Sequence, residues 1–153
     1  MCWGDDIARP RYAKAGRPVK NPFPSDEVEK DFAVRGRKMI EQYYDPKLGP
    51  KKSFDFGGGK QLSKSAFWAI IFIYYKEKKR LEDNLQGFIN IIVKYFGSEV
   101  ACDRISIRKH MGKITSLEAH HRSSEYADRP AAQEKDYRKH RAQYKLVTTL
   151  WEE

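Results

Sequence analysis

The sequence predicts an all-α fold: a small bundle of about five helices, with a helix-turn-helix-like unit within it, behind an extended basic N-terminal arm. Three observations carry that reading. Apolar residues recur at helical spacing between clusters of proline and glycine, serine caps stand before two of those stretches, and four prolines within the first 24 residues forbid a helix there. With 153 residues, 40% hydrophobic and 13% aromatic, the chain is sized for one domain with a core of its own. The expected organisation is an arm over 1–24 and a single helical domain over 25–153.

The arm comes first. Pro10, Pro18, Pro22 and Pro24 fix φ and push the residues before them towards extended backbone, with Gly16 adding freedom between them. Ser25 is an N-cap with acids in the following turn, and Val28, Phe32, Met39, Ile40 and Tyr43 form the apolar stripe of a first helix reaching about Tyr44. Pro46, Gly49, Pro50 and the glycines 57–59 predict a loop over 45–61. A second helix is capped by Ser63 or Ser65. Its segment Ala66–Tyr75, AFWAIIFIYY, is apolar on all faces, which predicts the central buried helix; its β-branched and aromatic content also suits a strand.

A third amphipathic helix presents Leu85, Phe88, Ile89, Ile92, Tyr95 and Phe96, and Gly97 stops it. In the fourth, Ile107, Met111, Ile114 and Leu117 share one face while Arg104, Arg108, Lys109 and Lys113 occupy another. A last helix starts near Pro130 and carries Tyr137, Tyr144, Val147 and Trp151 as anchors.

Thirty Lys and Arg against 21 Asp and Glu leave a net charge of +9, which points to a polyanionic partner. A membrane-spanning role is not expected, because the longest apolar run is about half the roughly 20 residues needed to cross a bilayer. Nucleic acid remains, with duplex DNA favoured over RNA. The excess is clustered, at +3 in residues 1–24, +4 in 63–80 and +3 in 101–122, and a phosphate backbone responds to such local clusters. MCWGDDIARPRY lacks an apolar core and carries acids, so the expected location is intracellular, where Cys2 and Cys102 would be reduced bystanders.

Two constellations carry the nucleic-acid reading. Gly16-Arg17-Pro18, flanked by Arg9, Arg11, Lys14 and Lys20, resembles the core of an AT-hook, and the resemblance implies an arm lying along the minor groove of A·T-rich DNA. The match covers three residues, and Ala15 and Val19 stand where that family carries arginine. The segment ISIRKHMGKI resembles the recognition helix of a helix-turn-helix protein, which implies that Ser106, Arg108, Lys109 and Lys113, with Arg104 before them, face the groove or its phosphates. The helix ending at Phe96 would support it, although GSEVACDRI is longer than the three or four residues of the usual turn.

No catalytic, cofactor or metal site is expected. His110, His120, His121 and His140, even with Glu118, Glu125 and Asp128, match no zinc spacing. FGGGKQLS misses the P-loop pattern, with Phe54 in place of the first glycine and Gln61 after Lys60. Trp68, Phe72 and their aromatic neighbours are expected in the core, leaving Tyr126, Tyr137 and Tyr144 freer for contact. The function expected is that of a small non-catalytic accessory or regulatory protein binding nucleic acid. Two alternatives share the electrostatics: a protein-interaction or assembly module, docking on a protein partner or forming a homo-oligomer, and an RNA-binding protein.

Overall fold

The computed structural model describes residues 19–48, 53–122 and 131–153, without the side chains of 115–122, 131–134 and 137. The element order is α1 (Asp26–Tyr43), β1 (Ser53–Asp55), β2 (Gln61–Ser63), α2 (Lys64–Glu77), α3 (Leu85–Phe96), α4 (Arg104–Arg122) and α5 (Ala131–Glu152). The described chain is thus mostly helical, with one two-stranded sheet.

The helices begin where short polar side chains satisfy the first free N–H groups. Ser25 Oγ accepts from Val28 N–H and Ser63 Oγ from Ala66 N–H. Asn84 does the same for Gly87 at 3.0 Å, and Asp103 Oδ2 for Ser106 at 2.9 Å. The end of α2 is less ordinary. Arg80 N–H donates to Tyr75 C=O and Lys79 N–H to Lys76 C=O, the paired bonds of a Schellman motif. The left-handed residue in it is Lys79, at φ 58°, where glycine is the usual occupant.

Every residue of α2 from Ser65 to Tyr75 is buried, so the apolar segment is the central helix and not a strand. Around it the core is aromatic. The Phe32 ring has six aromatic neighbours, with centroids 5.1 Å away at Phe23, 5.5 Å at Phe88, 5.6 Å at Trp151, 5.7 Å at Tyr75, 5.9 Å at Phe96 and 6.0 Å at Trp68. Both buried indoles keep their N–H satisfied: Trp68 donates to Val100 C=O at 2.9 Å and Trp151 to the Tyr75 hydroxyl at 3.0 Å.

Two sequence expectations are corrected here. The loop over 45–61 contains β1 and continues into β2, antiparallel, with Ser53 opposite Ser63, Phe54 opposite Leu62 and Asp55 opposite Gln61. Its strands alternate, burying Phe54 and Leu62, and the Phe54 ring stacks on Phe67 at 4.1 Å. Three-residue strands are too short for a period-2 pattern to stand out from the glycines and lysines around them. The second correction concerns the arm. Residues 20–24, assigned to it from their prolines, pack on the helices: Phe23 is buried, Pro22 C=O accepts from Glu82 N–H at 2.9 Å, and Lys20 C=O accepts from Asn84 Nδ2 at 2.7 Å. The one aromatic ring in a polar stretch anchors it.

Candidate nucleic-acid interface

The basic helix α4 rests on α2 and α5. Ile107 is fully buried, and Met111 and Ile114 pack against the core, so the apolar face expected from the sequence turns inward. Leu117 lies outside the described side chains. On the outer face Arg104, Arg108, Lys109 and Lys113 are all exposed, and among the described residues none of them takes part in an ion pair.

Ser106 is placed differently from the expectation. Its backbone N–H and its Oγ both donate to the Asp103 carboxylate, at 2.9 and 2.8 Å, and these bonds hold that carboxyl below its ordinary range. The serine is half-exposed and part of the helix cap, so its hydroxyl is not poised outward as a base-reading group. Ile105 takes the exposed place instead, 75% accessible between Arg104 and Arg108, an apolar residue whose role the i, i+3, i+4 pattern around Ile107 concealed.

α4 makes few contacts with α3, and Gly97–Asp103 separate them as a turn-containing connection. Its other neighbour matters more. His110 and Lys113 of α4 face His140 of α5; burial first, then Lys113, lowers the pKa of His110, and burial and Lys113 also lower that of His140 against the pull of Asp136. The basic face of α4 therefore adjoins α5, where Lys135, Arg138, Lys139, Arg141 and Lys145 are exposed. Acids elsewhere in residues 123–153 cancel these cations in a segment sum, which is why the sequence did not mark α5. Counting charge along one helix face would have found them.

The other clusters are differently employed. At the end of α2, Lys76 lies 3.3 Å from Asp83 and Arg80 3.3 Å from Glu152, with Lys78 over the Tyr74 ring and Arg80 over Tyr75. On α1, Arg35 donates to Trp151 C=O at 2.7 Å and Arg37 to Tyr95 C=O at 3.2 Å, closing the C-terminal ends of α5 and α3. Lys20 is 77% exposed and 3.5 Å from Glu82, so its contacts are with the α2–α3 connection rather than with α4. Arg9, Arg11, Lys14 and Arg17 lie outside the described residues, as do Cys2, Glu125, Tyr126, Asp128 and Pro130; the side chains of Glu118, His120, His121 and Tyr137 do as well.

Cys102 is a free, half-buried thiol whose pKa is raised by burial and by the adjacent Asp103, the opposite of an activated nucleophile. Among the described residues no group of three or more His, Cys, Asp or Glu side chains is arranged to hold a metal ion, and no helix is long and apolar enough to cross a membrane. No protein-family model matches the chain, and no similar curated protein or solved structure was found.

Proposed function

We propose that this protein binds nucleic acid, duplex DNA ahead of RNA, as an intracellular accessory or regulatory factor without catalytic activity. The observation that supports it is the outer face of α4: Arg104, Arg108, Lys109 and Lys113 are exposed and carry no ion pair among the described residues, and Lys113 lies beside His140 of α5. Exposed like charges left unpaired side by side repel one another, and a phosphate backbone relieves that repulsion while releasing counterions. The reading needs no compact helix-turn-helix, since α4 is supported by α2 and α5. The arm, with Arg9, Arg11, Lys14 and Arg17, is the second contact.

Titration of a labelled duplex at several salt concentrations tests this. Affinity falls steeply as ionic strength rises, Arg108→Ala lowers the logarithmic salt slope by about 1, and removal of residues 1–18 lowers it by several. That truncation leaves the packed segment from Lys20 to Pro24 in place. A flat salt response sinks the proposal. Competition that favours duplex RNA or single strands over duplex DNA transfers it to the RNA-binding alternative.

A further inference from the structure

The hairpin tip closes on the side of α5. Between them is a cavity of about 330 Å³, lined by Gly59, Lys60 and Gln61 from the hairpin and by Lys139, Ala142, Gln143 and Leu146 from α5. The four α5 residues are spaced i, i+3, i+4, i+7 and so occupy one helix face. Lys60 and Lys139 thus both line one space. No carboxylate lines it, and among the described residues neither lysine has an ion pair. Asp55, the hairpin's acid, accepts from Gly57 N–H at 2.9 Å.

The backbone of the tip adds donors. Gly57, Gly58 and Gly59 have φ of 83°, 58° and 78°, a left-handed run that glycine tolerates. A Cβ at any of the three would meet nothing within 4 Å, so backbone conformation and not crowding calls for glycine. The loop closes through Phe56 N–H to Lys60 C=O and Lys60 N–H to Gly57 C=O, both at 2.9 Å, which leaves the N–H groups of Gly58 and Gly59 without a partner among the described residues. Successive free amides in such a turn form a concavity suited to an anion.

We propose that this cavity binds the phosphate group of a small phosphomonoester. The Gly59 amide and the two lysine ammonium groups take the phosphate oxygens, the Gln61 and Gln143 amides add donors, and Leu146 offers an apolar wall to the carbon part of the ester. The segment FGGGKQ fails the P-loop spacing, and its cavity abuts the side of a helix rather than an N-terminus. It is accordingly a binding site without hydrolysis. This inference does not rest on the basic face of α4; of its two lysines, Lys139 alone also stands among the exposed α5 cations beside that face.

The test uses the full chain with inorganic phosphate and with phenyl phosphate, each against sodium chloride at matched ionic strength, followed by amide NMR shifts. The expected result is saturable shifts at Gly58, Gly59 and Lys60, tighter for phenyl phosphate, with Lys60→Gln and Lys139→Gln each weakening binding by roughly tenfold. Both side chains are exposed, so the variants keep the fold, and an unchanged melting temperature verifies that. Shifts absent at the glycines, equal to those in chloride, or persisting in the doubly substituted protein overturn the proposal. Duplex binding with its salt slope is measured on the Lys60→Gln protein, whose substitution lies outside the proposed duplex face, so either proposal can fail while the other stands.

Discussion

Glu29 is the only buried charged side chain among the described residues, 5% exposed. Its carboxylate is bound by Asn21 Nδ2 at 2.7 Å, Tyr95 Oη at 2.6 Å and Lys94 Nζ at 3.0 Å, so it ties the N-terminal segment, α1 and α3 together. The Tyr95 bond, followed by those from Asn21 and Lys94, lowers its pKa below 4.5, against the opposing effect of burial. A depressed pKa contributes stability that is present above the unfolded value and is lost as pH falls through the folded one. Glu29→Gln therefore costs about 2 kcal/mol at neutral pH, and urea titrations of the two proteins converge as pH falls from 4.5 through the lower folded pKa; parallel curves would refute the role. Lys79 makes the opposite case. In the left-handed position of the Schellman motif its Cβ is strained by about 1 kcal/mol, so Lys79→Gly raises thermal stability by up to that amount, with unchanged stability as the contrary outcome. The cation run KEKKR gave no sign of this, because the backbone conformation comes from the closing bond between Arg80 N–H and Tyr75 C=O.

At the scale of elements, the third helix shows how a neighbour reverses a local rule. Gly87 lies in the first turn of α3, where helix propensity says that Ala would stabilise by about 1 kcal/mol. A Cβ there would stand 2.5 Å from Lys20 C=O, 2.7 Å from Asn84 Nδ2 and 2.9 Å from Pro22 Cδ. Gly87→Ala thus displaces the segment that crosses α3. The expected outcome is net destabilisation and faster hydrogen exchange at Glu82 N–H, which is bonded to Pro22 C=O; a more stable protein with unchanged exchange would contradict it. The starts of α1 and α2 were legible because Ser25 and Ser63 act through residues three positions away. The hairpin was not, since its burial depends on Phe67, which lies outside it. The seat of Phe23 was equally hidden, because residues 20–24 look extended and polar until Gly87, far along the chain, makes room.

For the molecule as a whole, the long apolar run of α2 dictated a buried central element, helix or strand, and the clustered charge pointed to a strongly basic exterior. These follow from chain-local facts, residue type and period, which no packing partner can alter. The candidate site was legible in part: the exposed row Arg104, Arg108, Lys109 and Lys113 follows from period alone, but Ser106 is bound to Asp103 and the apolar Ile105 is exposed beside them. Long-range partners decided the rest. Phe32 became the centre of six rings through side chains as distant as Phe23 and Trp151, Arg35 and Arg37 were drawn into closing other helices, and Lys60 was brought to Lys139 across the hairpin–α5 cavity. Burial and charge pairing are properties of contacts between segments far apart in the chain, and such contacts exist only once the helices have packed.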